Sequence, residues 1–521
     1  MKNKILYLPL DERPCNWLLP QNIVAGCVST ELITPPVQLL GEKKRPADTQ
    51  KLWDFVNQKI KDCDCAVMSA EMLFFGGLLP SRLHHDPESS IHEKIGRLRS
   101  LKQAHPEIPI YLFELIMRTP RYNSSDEEPD YYETYGARIF KRTYLKDKLS
   151  RCHLSPEEQN LLDTLEHQIP VEYIQDYEQR RKLNRSVLEE VLHLVQDGTV
   201  ELLYIPQDDS CEFGYTAIDQ SYILQAITRL KIQDRVYLHP GADEAGAELL
   251  SRAYLNLSGK TPHVYVTYSS TLGAQIIPLY EDRILEASIQ QHILASGCIQ
   301  CDTPDDADFI LAVNTPGKIM QESSEQQNSD ITYQSFRCLR AYVQQLALYI
   351  DQGKRVAVAD CAYANGGELA FIQELDRIGI LDRLVSYKGW NTACNTIGTS
   401  LAQAIFALDN PDPKQIRRNL AYHLLDDAFY QSLVRGQLQI VVESAGLSYF
   451  DLQNNSETYA HMCKTLLKQT WSKVIRTGFS DIDMDAFQVY FPWNRLFEIG
   501  ILWTNNSNGL IGGMPSNTEN E

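Results

Sequence analysis

The 521-residue chain contains no run approaching the roughly 18 apolar residues of a membrane-spanning helix. Its first segment, MKNKILYLPLDERP, has too short an apolar core for a secretory signal. We therefore expect a cytoplasmic protein with no membrane partner. Basic residues are in deficit: 49 Lys and Arg against 68 Asp and Glu give a net charge of -19. That balance argues against nucleic-acid binding, which needs clustered cations. It leaves room for a local arginine cluster. Of twelve cysteines only Cys63/Cys65 and Cys298/Cys301 are close pairs. The C-x-x-C at 298–301 has no second pair to complete a zinc site, and free thiols fit a reducing compartment. Also missing are a P-loop, a Gly-x-Ser-x-Gly elbow, a His-Glu-x-x-His helix and a Rossmann fingerprint, since Pro9 and Pro14 stand where glycines belong. No cofactor and no metal are expected.

What is present is a rhythm. Apolar, β-branched runs occur at residues 4–9, 65–69, 108–117, 200–206, 235–238, 263–268, 308–313, 355–359 and 384–387, with 31–34 a further short one. Helical stretches separate them, which predicts α/β architecture with parallel strands and right-handed crossovers. Eight such units would close a (β/α)8 barrel, the first expectation; one or two doubly wound open sheets are the alternative. The barrel-like domain is expected over residues 1–410. A polar, Tyr-rich insertion at about 121–185 would form a lid or helical hairpin over the site, with residues 121–135 mobile at its border. The breaker Asn410-Pro411-Asp412-Pro413 opens a small, mostly helical C-terminal domain over 411–504, with strands near 486–503. Residues 505–521, rich in Asn, Ser and Gly, read as a flexible tail.

Polar residues follow nearly every strand. The run 200–206 ends in Gln207-Asp208-Asp209, where α/β folds place their chemistry. Adjacent carboxylates repel, so one is held protonated or paired, and an acid beside a carboxylate suits glycosidic cleavage. A helix cap is the bland alternative. Asp11 and Arg13 follow the first strand, as a substrate clamp or a self-paired turn. Glu71 precedes the apolar Gly76-Gly77 loop. Glu114 and Arg118 lie in and after the third long run as candidate substrate contacts, an arginine ion pair for a buried Glu114 being the structural alternative. His239 and Asp243 follow 235–238, Asp243 being able to cap the next helix. The late strands end in Asn314, Asp360, Asn365, Trp390, Asn391 and Asn395. Amides match sugar hydroxyls and Trp390 offers a stacking face. Asn-Gly-Gly as a turn, Trp390 as core and Asn395 as a helix cap are the structural alternatives.

The segments LPLDERPCN, YIPQDDS, HPGADE, ADCAYANGGE and GWNTACNTIGT resemble a bacterial family catalogued as domain of unknown function 4127, which brings no activity with it. The Asp208-Asp209 pair alone also resembles barrel N-acetylhexosaminidases. That resemblance implies Asp208 orienting an acetamido group and Asp209 acting as acid/base. With 31–34 left out, 200–206 is the fourth strand, as in those enzymes. The expectation is an intracellular glycoside hydrolase acting on a hexosamine-containing glycan without metal, its catalytic pair Asp208 and Asp209. A small carbohydrate would be the partner, and a homo-oligomer stays open. The alternatives are a hydrolase or isomerase of a small polar metabolite using a divalent ion, and a non-enzymatic sugar-binding protein.

Overall fold

The computed structural model describes residues 2–504; the tail read at 505–521 lies outside them. The parallel strands are divided between two sheets. The first comprises β1 (Asn3–Leu8), β2 (Thr30–Ile33), β3 (Cys65–Ser69), β4 (Ile110–Phe113), β5 (Leu202–Gln207) and β6 (Val236–Pro240), in spatial order β2-β1-β3-β4-β5-β6. The second contains β7 (His263–Tyr268), β8 (Ile299–Gln300), β9 (Phe309–Asn314), β11 (Arg355–Asp360) and β13 (Ser386–Lys388). Its order is β13-β11-β9-β7-β8. The short β10 (Gln321–Glu322) and β12 (Tyr363–Ala364) pair with each other beside it.

Both sheets are open by their hydrogen bonds, so the single closed ring of eight strands expected first is not shown. The two-sheet alternative describes the hydrogen bonding. In each sheet the second strand lies to one side of the first and the rest run out on the other. Both therefore follow the order 2-1-3-4-5, with β6 added to the first, and each has a switch point beside its first strand. Thr30–Ile33 is a strand, so β5 is fifth in the chain and not fourth.

Alternation along the strands explains why both faces are covered. In the first sheet Leu6, Leu8, Met68, Leu112, Leu203 and Ile205 enter one apolar cluster. Ile5, Tyr7, Val67, Phe113, Leu202 and Tyr204 enter the other. The second cluster is shared with Val264, Leu311, Val313 and Ala357 of the other sheet. The helices Ala245–Ser258 and Ala393–Phe406 pack on each other and each on a sheet. The second cluster thus joins the two halves.

The insertion lies in the β4-to-β5 crossover as three helices, Tyr132–Arg151, Pro156–Gln168 and Val171–Gln196. Ser155 and Glu158 form a capping box that starts the middle one. Met117, Tyr132, Ile139, Ile174 and Tyr177 give this unit a small core of its own. After residue 412, Pro413–His423 runs through a buried π-type segment, Leu424–Val434, into Arg435–Ser444. Helix Ser456–Val474 and the antiparallel β14 (Phe487–Tyr490) and β15 (Gly500–Trp503) complete the chain. No helix among the described residues is long and apolar enough to cross a membrane.

Candidate functional site

The C-terminal ends of β1, β3, β4, β5 and β6 bring their polar residues into one buried ion network. Arg13 binds Asp11 at 2.7 Å and Asp243 at 2.6 Å, and reaches Glu498 at 3.9 Å. Asn16 donates to both aspartates. Asp243 therefore serves this cluster and caps no helix. Glu498 pairs with Arg495 at 3.1 Å, and Arg495 with Asp126 at 2.7 Å and Glu127 at 2.6 Å. Glu127 continues to Arg118 at 2.8 Å and Arg82 at 3.2 Å. Those two arginines hold the aspartate pair: Arg82 is ion-paired with Asp208, and Arg118 lies 3.4 Å from Asp209. Trp493 lies between Arg13 and Arg495, each guanidinium within 5 Å of its ring, and its indole N–H donates to Glu12.

Asp208 and Asp209 do not cap a helix. The next one begins at Tyr215 behind Gly214. Their side chains retain 13 % and 26 % exposure. Asp209 has φ 45°, a left-handed conformation that Asp tolerates better than most residues. Burial pushes its carboxyl up to about 6, Arg118 pulling it down and Asp208 raising it. Glu127 takes the opposite course: burial works against its charge, yet Arg118, Arg495 and Arg82 hold it well below the usual range. Tyr280 feels the charge of Asp209 and donates to Glu322, which accepts from Asn365. Arg121 lies over the Tyr280 ring. Asn365, just past β12, is thereby linked through Glu322 to Tyr280.

Below the pair, a small hollow is lined by Glu71, Arg82, Glu114, Asn184 and Asp208. Glu71 accepts from the Leu115 N–H and the Ser69 hydroxyl, and burial raises it to about 7. Among the described residues no arginine pairs with Glu114, so the structural alternative is not met. One of its oxygens has no partner, and burial together with Glu71 raises it well above a carboxylate's ordinary value. A protonated Glu114 avoids the cost of an unpaired buried charge.

Other predicted residues are placed elsewhere. Asn314 donates to Asp360 at 2.7 Å and Glu368 at 2.8 Å, Tyr387 donates to Asp360, and Arg337 pairs with Glu368. These form a buried cluster of their own at the end of the second sheet. Trp390 is buried, with its carbonyl accepting from Thr396. Asn391, at φ 60°, is a turn residue whose carbonyl accepts from the Asn365 N–H. The cap of the following helix is Thr392 and not Asn395. His239 is buried with Glu244, Glu248 and His292, their potential ligand atoms within 4.8 Å of one another.

Over residues 5–502 the chain matches the family described as "Protein of unknown function (DUF4127)". The chain belongs to this family. No curated protein matches. Among solved structures, it is similar to the carboxyl transferase domain of Rhizobium etli pyruvate carboxylase. Identity is 10 %, coverage 93 % of this chain and 60 % of that one, and the TM-score 0.17. The complete multifunctional pyruvate carboxylase from Rhizobium etli gives 11 % identity over 93 % of this chain and 33 % of that one, with TM-score 0.16. The chain thus spans less than two thirds of these proteins, and overlaps of that quality carry no argument. Neither match supports the hexosaminidase resemblance.

Sequence reasoning passed over Arg82, Glu127, Glu128, Arg495 and Glu498. Arg82 and Glu127 sat in plain view beside Gly76-Gly77 and in the segment read as a lid. Arg495 and Glu498 lay beyond the boundary drawn at 410, with no local signal linking them to β1.

Proposed function

We propose that the end of β5 is the active site of a glycoside hydrolase working by general acid–base catalysis. The observation that carries the reading is the inequality of the two aspartates. Asp209 is raised to about 6, largely by burial, while Asp208 is engaged by Arg82. A carboxyl raised by burial beside one paired with arginine suits two separate roles, proton donor and hydrogen-bond acceptor. In this mechanism Asp209 protonates the departing glycosidic oxygen, water adds its oxygen to the anomeric carbon and returns a proton to Asp209, and Asp208 accepts a donor on the sugar. An acetamido N–H is such a donor, so N-acetylhexosaminides are the first substrates to try. The network holds Arg13, Lys43, Arg82, Arg118 and Arg495 against Asp11, Asp126, Glu127, Glu128, Asp208, Asp209, Asp243 and Glu498. That acid excess disfavours a phosphorylated or acidic sugar. Tyr122 is partly exposed and shares the field of Arg118 and Asp209; with Tyr280 it offers apolar faces at the mouth.

Loss of a general acid costs about 10²–10⁴-fold in rate. Asp209→Asn should lower turnover of natural glycosides by that factor, and less for aryl glycosides, whose leaving groups need little protonation. Asp208→Asn should depress both. Asparagine also tolerates the left-handed backbone at 209, so a lost rate reports chemistry rather than strain. Wild-type turnover in both variants would remove the pair from catalysis.

A further inference from the structure

His239, Glu244, Glu248 and His292 come from three elements: the end of β6, the start of helix Ala245–Ser258 and helix Leu285–Ala295. All four are buried. Among the described residues, no lysine or arginine stands within ion-pair distance of Glu244 or Glu248. The neighbouring guanidinium of Arg283 is taken up by Asp282, Gln291 and Gln207. Glu248 Oε2 lies between the imidazoles, 3.0 Å from His292 Nδ1 and 3.8 Å from His239 Nε2. His239 Nε2, His292 Nε2 and Glu244 Oε1 have no hydrogen-bond partner among the described residues. Three unsatisfied atoms on fully buried side chains in one place are costly unless something binds them.

Each of three side chains is also held from behind. His239 Nδ1 lies 3.0 Å from the Pro240 carbonyl, which puts the proton on Nδ1 and leaves a bare lone pair on Nε2. The Ala242 N–H donates to Glu244 Oε2 at 2.9 Å, turning Oε1 free. Ser296 Oγ sits 3.2 Å from Glu248 Oε1. Such outer anchors orient metal ligands and fix the tautomer of a ligating histidine. Gly241, at φ 128°, completes the arrangement: a Cβ there would fall 1.6 Å from Glu244 Oε1.

We infer that these four side chains bind one divalent cation of the Zn²⁺ class. Two imidazole nitrogens and two carboxylate oxygens suit Zn²⁺ and the borderline first-row ions, whereas Ca²⁺ and Mg²⁺ prefer all-oxygen sites. Two carboxylates balance the ion's charge. Bonds of about 2.0–2.1 Å require the set to contract from its present spread. The site is closed to substrate, so its role is structural. The ion clasps the last strand and helix of the first sheet's run to the helix between β7 and β8, joining the two halves.

The test uses the full chain stripped with a chelator and dialysed, then titrated with ZnCl₂ alone by calorimetry. One equivalent should bind and raise the thermal midpoint. Co²⁺ should give visible d–d absorption, and X-ray absorption should show a nitrogen/oxygen shell with two imidazoles. Glu244→Gln with His292→Gln, confirmed folded by circular dichroism, should lose stoichiometric binding. Absence of a saturable 1:1 event in the wild type, a sulfur ligand, or undiminished binding by the folded double variant would each overturn the assignment. If the variant does not fold, the wild-type titration and its ligand shell still decide. Glycoside turnover enters none of these readouts, so this inference and the catalytic reading fail separately.

Discussion

Removing Glu127 tests whether the ion network is a single load path between the insertion, the first sheet and the C-terminal segment. Its carboxylate touches Arg118, Arg82 and Arg495, and it is 16 % exposed. Breaking a buried pair by deleting one partner costs about 3–5 kcal/mol, because the other charge is left uncompensated. Here each guanidinium keeps another acid: Arg118 has Glu128, Arg82 has Asp208, and Arg495 has Asp126 and Glu498. Glu127→Ala should therefore fall at the lower end, about 3 kcal/mol. The assay is urea unfolding at pH 7, with hydrogen exchange across helix Tyr132–Arg151 because a chain of this size need not unfold in one step. Glu42→Ala, which breaks a surface pair with Arg45, is the control and should cost little. The arginines depress Glu127 in the folded state. Its contribution is therefore present above its unfolded value and lost as pH falls through the folded one. The gap between wild type and variant must narrow in acid. A loss no larger than that of Glu42→Ala, or a gap independent of pH, would refute the reasoning.

The remaining expectations follow from single observations. If Asp209 is the proton donor, kcat/KM should decline as pH rises through about 6, and a profile flat from pH 5 to 8 would count against it. Glu71 is raised to about 7 by burial, so its contribution to stability is complete below its unfolded value and lost as pH climbs through 7. Glu71→Gln, which mimics the protonated acid, should gain on the wild type by up to about 3 kcal/mol between pH 5 and pH 8; equal pH dependence in both proteins would show that Glu71 is charged throughout. Gly241→Ala should destabilise, because its Cβ would collide with Glu244 and its φ of 128° suits only glycine. An unchanged thermal midpoint would mean that this turn relaxes freely.

Much of the fold was legible because buried parallel strands announce themselves as short apolar runs. The runs at 65–69 and 263–268 coincide with β3 and β7, and the others fall within a few residues of observed strands. Between β4 and β5 the chain is polar and charged and forms three helices, and helix Pro413–His423 begins at the proline-rich stretch where the rhythm stops. Closure was not legible. A barrel and a pair of open sheets share the same alternation, and the difference lies in which strand neighbours β1. Thr30–Ile33 decides that by taking one side of β1, yet four residues ending in a polar loop gave only a weak strand signal.

The site divided along a different line. Residues one to five positions past a strand, such as Asp11, Arg13, Asp208 and Asp243, were found because chain direction delivers them to a common edge. Their partners were not, because charge pairing over long separations leaves no local pattern: Arg13 meets Asp243 across 230 positions and Arg495 meets Asp126 across 369. The histidines show the same limit. His239 looked isolated from any metal motif, since its companions sit 5, 9 and 53 residues downstream on separate elements. Only the packing of helix Leu285–Ala295 against β6 brings the potential ligand atoms of the four residues within 4.8 Å of one another. A spacing rule detects sites built within one turn or hairpin. It is blind to a cluster assembled from separate elements, as the four residues around His239 are.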